Sequence, residues 1–184
     1  MARRDARDNT ARDKPSGGSE TQAKDVCLRL LSDRARSRSE LEQSLAKKGY
    51  TADIAESALD RLAQVGLIDD AAFAEQWVHS RHTFSGKGRQ ALALELRRKG
   101  VGKEEAAGAL EQISADDERE RAAELVRKKL RTLSVPDDTG ERDKTVRKLV
   151  GMLARRGYGQ GMAFDVVKTA LAQIGSATDD LVDE

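Results

Sequence analysis

Leucines recur four residues apart, just ahead of a basic residue and a glycine, at three places along the chain. Leu41-x-x-x-Leu45-x-x-Lys48-Gly49-Tyr50 returns as Leu92-x-x-x-Leu96-x-x-Lys99-Gly100-Val101, and again as Leu149-x-x-x-Leu153-x-x-Arg156-Gly157-Tyr158. Two leucines at i and i+4 mark one face of a helix. A glycine behind a basic last turn marks its end, because glycine enters the left-handed conformation at little cost. The first two glycines are 51 residues apart (49 to 100) and the next two 57 (100 to 157). Self-similarity at such a period belongs to stacked helical repeats.

The apolar positions around each leucine pair predict three helices per unit. In the first unit Val26, Cys27, Leu30 and Leu31 form one helical face, and Ser39-x-x-Glu42 has the form of a capping box opening the second helix. Thr51 is placed to cap a third helix whose stripe is Ile54, Ala58, Leu62 and Val65. Gly66 closes that unit, and Asp69 and Asp70 offer caps for the next helix.

The second unit puts Phe73, Trp77 and Val78 on its first helix, breaks at Ser85-Gly86-Lys87-Gly88, and takes Leu92, Leu96, Leu110 and Ile113 into its core. Leu59 and Leu62 lie 9 and 12 residues beyond Tyr50, as Leu110 and Ile113 lie beyond Val101. The third unit draws on Leu125, Val126, Leu130 and Leu133, then a longer loop over 135–140, then Val146, Leu149, Val150 and Leu153. Its last helix carries Phe164, Val167, Leu171 and Ile174. Leu171 lies 13 beyond Tyr158, which reads as about four extra residues around Gly159-Gln160-Gly161-Met162.

The expected fold is therefore all-α: three tandem three-helix repeats forming an elongated, curved array, since no unit is large enough to bury its apolar face alone. The expected boundaries are a disordered charged arm over 1–22, repeats over 23–68, 69–115 and 116–174, and an acidic disordered tail over 175–184. Phe73, Trp77, Val78, Leu92 and Leu96 are assigned to structure rather than to ligand contact.

Composition agrees with this picture. Charged residues are 35% and aromatics 3%, which suits helices around thin cores. The net charge of +1 conceals a separation: the tail holds Asp179, Asp180, Asp183 and Glu184 without a base, leaving +5 on the remainder. Cys27 is the single cysteine and has no disulfide partner, so a buried, inert thiol is expected. No apolar run approaches the roughly 18 residues of a membrane span, and no secretory signal follows the N-terminal arginines. A cytoplasmic, monomeric protein is the expectation.

Candidate chemistry is thin. His79 and His82 share a helix but lack further ligands at zinc spacing. Ser85-Gly86-Lys87-Gly88 follows a predicted helix and lacks the spacing of a phosphate loop. The pairs Asp69/Asp70, Asp116/Asp117 and Asp137/Asp138 stand where helices start, and capping explains them. No catalytic residue, cofactor site or metal site is predicted, and the chain is not expected to be an enzyme.

What remains is charge. Arg81, Lys87, Arg89, Arg97, Arg98, Lys99 and Lys103 are opposed between residues 81 and 103 only by Glu95, a surplus of six. Arg127, Lys128, Lys129 and Arg131 form a second cluster, with Arg147, Lys148, Arg155 and Arg156 nearby in sequence. Stacking of consecutive units would align such clusters into a stripe suited to phosphates or to an acidic protein groove. Phe73, Trp77, Phe84 and Phe164 are read on core faces, so no base-stacking platform is predicted. Two helices about the Gly49 turn also permit a helix–turn–helix, and hence a DNA-binding module, single-stranded or duplex, as the alternative function.

The stretch Gly66-Leu67-Ile68-Asp69-Asp70-x-x-Phe73-Ala74-x-x-Trp77-Val78-x-x-Arg81, followed by Gly88-x-x-x-Leu92-x-x-x-Leu96-x-x-Lys99-Gly100, resembles the signature of the RecX family, bacterial regulators of the RecA recombinase. The resemblance covers roughly residues 23–174. It implies three tandem three-helix repeats and a non-enzymatic inhibitor in homologous recombination, DNA repair and the SOS response. Such a protein binds the RecA–single-stranded-DNA filament along its groove and suppresses ATP hydrolysis, strand exchange and filament growth. Arg81, Lys87, Arg89, Arg97, Arg98, Lys99 and Lys103, with Arg127, Lys128, Arg131, Arg155 and Arg156, are then the expected filament contacts.

Overall fold

The computed structural model describes residues 18–133 and 138–179. All regular structure among them is helical: α1 (Glu20–Asp33), α2 (Arg38–Lys47), α3 (Ala52–Gln64), α4 (Asp70–Ser85), α5 (Arg89–Arg98), α6 (Lys103–Glu111), α7 (Ala115–Leu130), α8 (Thr139–Arg155) and α9 (Gln160–Asp179). The expectations for residues 1–17, the loop at 135–137, the side chain of Ile174 and the end of the tail at 180–184 lie outside the described residues. Helix α1 starts within the span expected for the arm, where Ser19 and Gln22 form a reciprocal capping box. Helix α9 continues through 175–179, which the tail was expected to contain; no proline stands there to stop it.

The chain divides into two compact units, one of the described residues to Arg36 with Glu40–Ile68, the other of Ser37–Ser39 with Asp69 onward. In the first, Ala23 and Cys27 of α1, Leu41 and Leu45 of α2, and Ala55, Ala58, Leu59 and Leu62 of α3 share one core with Ile68. Cys27 is fully buried, and that burial pushes its thiol pKa up, as an inert structural cysteine requires.

The second unit holds two cores. Phe73, Ala74, Val78, Leu92, Leu96, Val101, Ala109 and Ile113 make one among α4, α5 and α6. The other lies among α7, α8 and α9, built on Ala122, Val126, Leu149, Leu153, Tyr158, Val166, Val167 and Leu171. Each fully buried leucine contributes about 1.5–3 kcal/mol relative to exposure, so the leucine pairs anchor their helices.

The three glycine turns are built alike. Gly49, Gly100 and Gly157 have φ of 86°, 73° and 88°. In each the next residue's N–H donates back to the second leucine's carbonyl: Tyr50 to Leu45, Val101 to Leu96 and Tyr158 to Leu153, all at 3.2 Å. A tighter bond from the glycine N–H accompanies each, so the last carbonyls of the helix are satisfied and the chain reverses.

That shared turn also fixes the register of the following helix. Helices α3, α6 and α9 begin two residues after Tyr50, Val101 and Tyr158. Buried residues then fall 5, 8, 9 and 12 positions on in the first core (Ala55, Ala58, Leu59, Leu62) and in the third (Ala163, Val166, Val167, Ala170). The insertion expected near Gly159 is therefore absent: Ala170 occupies the twelfth position, and Leu171 packs beside it.

Three other expectations are corrected. Helix α2 begins at Arg38, so Ser39 lies inside its first turn rather than ahead of it. Val65 ends α3 as its C-cap residue and is exposed, because the stripe stops at Leu62. Phe164 is half-exposed, since Ala163 and Val167 carry the buried face of α9 in its place.

Within the second unit, the N-terminus of α5 has no side-chain cap of its own. Its free N–H groups are taken by α7 and by the turn after α8. Gly88 donates to Arg156 O at 2.9 Å, Gln90 to Gly157 O at 3.2 Å, and Arg89 to Oε1 of the buried Glu118 at 2.8 Å. Three donors that would otherwise be left unpaired lock the end of α5 to its neighbours.

Candidate functional site

Helix α4 presents Trp77 at the edge of its core, half-buried where Phe73 and Val78 are fully buried, and the ring gathers charge. Glu95 of α5 accepts from Trp77 Nε1 at 2.9 Å and from Arg81 Nε and Nη2 at 3.0 and 2.9 Å, with Lys87 Nζ at 3.9 Å. Lys99 Nζ lies 4.0 Å from the Trp77 ring centroid and 5.6 Å from that of Phe73, and the Arg81 guanidinium is 5.6 Å from Trp77. Four of the expected contacts in and between α4 and α5 therefore have internal partners, because Arg89 also donates from Nη1 to Ile113 O at 3.1 Å. Arg81, Lys87, Arg89 and Lys99 brace the bundle.

The hydrogen bond from Arg81 holds the Glu95 carboxyl below its usual range against the opposing effect of burial, and Trp77 and Lys87 add to it. A carboxylate lowered in the folded state contributes stability that is present above its unfolded pKa and is lost as pH falls through the folded value. Glu95→Gln should cost on the order of 1–3 kcal/mol at pH 7. The gap to the parent should narrow as pH falls below the ordinary carboxylate range. Urea midpoints at pH 7 and pH 3 check this; a gap independent of pH would contradict it.

All the other expected contacts but Arg156 stand outward. Arg97 and Arg98 end α5, Lys103 opens α6, and all three are exposed with no ion pair among the described residues. Arg155 is exposed at the end of α8. Arg127 and Lys128 in the last turn of α7, with Arg131 just after it, are also exposed and make no ion pair among the described residues.

Those three residues and Arg156 line one open groove of about 480 Å³ with Phe84, Ser85, Gly86, Leu125, Arg121 and Glu124. Among the described residues five basic side chains meet one acid there, and that acid, Glu124, is already paired with Arg121. The groove wall is the end of α4, fixed from three sides. Arg121 Nη2 donates to Thr83 O, Arg156 Nη1 to Ser85 O at 2.7 Å, and the Tyr158 hydroxyl to Gly86 O at 3.3 Å. Burial pushes Tyr158 up to about 12, which keeps that proton in place at any physiological pH. Gly86, at φ 58°, ends α4 in the left-handed conformation against Leu125.

Phe84 corrects the assignment of the aromatics to core faces: the residue is 79% exposed. The apolar stripe of α4 stops at Val78 and is continued by Arg81 and Ser85, which bond to each other at 3.1 Å. Phe84 therefore projects past the end of the core into the basic groove.

Among the described residues no three His, Cys, Asp or Glu side chains are placed to hold a metal ion, and no helix is long and apolar enough to cross a membrane. His82 Nδ1 lies 2.8 Å from Lys87 O, a structural contact.

Comparison with known proteins supplies the context. Residues 23–62 match the model of the RecX first three-helix domain, and 69–110 that of the RecX second three-helix domain. A protein of Mycolicibacterium vanbaalenii named "Regulatory protein RecX" is 61% identical over 153 residues, covering 82% of this chain and 83% of its own length. One of Mycolicibacterium smegmatis with the same name is 58% identical over 154 residues, covering 83% and 81%. A crystal structure of regulatory protein RecX is similar with a TM-score of 0.71 at 25% identity, over 82% of this chain and 73% of that one. A RecX structure from Lactobacillus salivarius, at 22% identity and a TM-score of 0.69, shares the fold over 85% of this chain and 96% of its own.

Proposed function

The chain belongs to the RecX family of regulatory proteins, and on that premise we propose that it is a non-enzymatic modulator of RecA. It binds the RecA–single-stranded-DNA filament in the cytoplasm and suppresses its ATP hydrolysis, strand exchange and growth. The observation that carries this reading is the groove where Arg127, Lys128 and Arg131 converge beside Arg156, with the one acid among its described lining residues already paired. Cations that serve no internal ion pair are available to phosphates or to an acidic protein surface. Arg97, Arg98 and Lys103 supply a second contact region on α5 and α6, with Arg155 beyond the groove on α8.

The division of labour differs from an even basic stripe. Arg81, Lys87, Arg89 and Lys99 keep α4 and α5 in place, and the exposed residues meet the filament. The experiment is a titration of the purified chain, which acts as a monomer, into RecA with single-stranded DNA while ATP turnover is followed. Turnover should fall in a saturable manner, and more weakly at higher salt. Unchanged turnover, together with tight binding to naked duplex in gel shifts, would favour instead a DNA-binding module that acts without RecA.

A further inference from the structure

Phe84 is a large apolar ring standing in water on a rigid mount. The carbonyls of residues 83, 85 and 86 on either side of it are held by Arg121, Arg156 and Tyr158, so the backbone that carries the ring is fixed before any ligand arrives. Of the other rings, Phe73 and Tyr158 are buried and Trp77 is engaged by Glu95 and Lys99. Phe164, half-exposed, sits in a hollow whose one charged lining residue is Arg147. Phe84 alone among these rings lies within a groove lined by several cations.

An aromatic face flanked by guanidinium and ammonium groups on a preorganised surface is the arrangement that holds single strands: the ring stacks on a base and the cations take the phosphates on either side. Duplex DNA keeps its bases stacked inside and offers such a ring nothing. An acidic peptide would use the cations and leave the ring uncovered.

We propose that Phe84 is a base-stacking platform, on which an unpaired base of single-stranded DNA lies while Arg127, Lys128 and Arg131 hold the neighbouring phosphates. The inference rests on reading those cations as phosphate contacts, as above, and adds direct contact with the bases, without sequence preference. The strand is either free or an exposed part of a filament.

The test uses the full chain with Phe84 replaced by tryptophan, with the parent's Trp77 emission as the blank. Oligothymidylate should quench the Phe84→Trp emission in a saturable way, and an abasic strand with the same number of phosphates should bind roughly tenfold more weakly and quench little. Phe84→Ala should bind oligothymidylate as weakly as the parent binds the abasic strand, with its helical circular dichroism unchanged. Equal binding of the two strands by the parent, or undiminished binding by Phe84→Ala, would overturn the stacking role and leave the phosphate contacts standing. Unaltered DNA binding after charge reversal at Arg127, Lys128 and Arg131 would instead remove the premise. Capture of polyglutamate with no binding of either strand would assign the groove to an acidic protein segment and overturn the proposal.

Discussion

Reversing the charge of Arg127, Lys128 and Arg131 together should raise the concentration of protein needed to halve RecA's ATP turnover by at least roughly tenfold, on the scale set by lost phosphate contacts. The three side chains are exposed on and just after the last turn of α7 and make no ion pair among the described residues. Their replacement by glutamate therefore breaks no ion pair among the described residues, and far-ultraviolet circular dichroism should stay helical. Each lost phosphate contact on a single strand also flattens the salt dependence by about 0.7 in log–log slope, so the triple variant should lose about two units of slope. Reversal at Arg81 should behave differently. It would set two acids together at Glu95 and remove one of the two cations over Trp77, so stability should fall before inhibition is affected specifically. Inhibition by the α7 triple variant equal to that of the parent would remove the groove from the interface.

The second large effect concerns glycines of equal conformation and unequal surroundings. Gly49 and Gly157 have φ of 86° and 88°, so alanine at either position pays the left-handed cost of about 1–2 kcal/mol. A Cβ at Gly49 meets nothing within 4 Å. At Gly157 it meets the backbone N and Cβ of Ala91, with the Ala91 Cα at 2.8 Å, where Gln90 already donates to Gly157 O. Backbone cannot step aside as a flexible side chain can. Gly157→Ala should therefore cost on the order of 4 kcal/mol or prevent folding of the second unit, while Gly49→Ala costs about 1 kcal/mol. Urea denaturation of both variants decides it, and equal losses would mean that the joint between α5 and the turn after α8 is looser than described.

Much of this architecture is legible in the sequence because helix ends advertise themselves. A leucine pair followed by a basic residue and glycine fixes a face, a stop and the start of the next helix, and the three turns are superposable in their hydrogen bonds. Alanine is where legibility fails. Ala23, Ala74 and Ala122 are fully buried on the first helices of the three cores, and Ala163 and Ala170 carry the register of α9. A small side chain gives no more signal buried than exposed, so counting by the largest residue, Leu171, shifts the register by one and suggests an insertion.

The candidate site was legible as charge and illegible as geometry. Glu95 stands out in sequence as the lone acid among seven bases, yet only the packing of α5 on α4 shows that it binds Arg81 and Lys87 from 14 and 8 residues away. Phe84 was misplaced for a related reason. It lies 11 residues from Phe73, about three turns at 3.6 residues each, and so shares its side of the helix. The core beneath that side ends at Val78, and which turns of a helix have a neighbour is a tertiary fact.

The most direct measurement is sedimentation of labelled protein with preformed RecA filaments on single-stranded DNA, comparing the parent with the Arg127, Lys128 and Arg131 charge-reversal variant. The parent should pellet with filaments saturably and be released by salt, and the variant should stay largely in the supernatant. Parent protein that remains in solution, or a variant that pellets as well as the parent, would contradict a cationic groove as the means of engaging the filament.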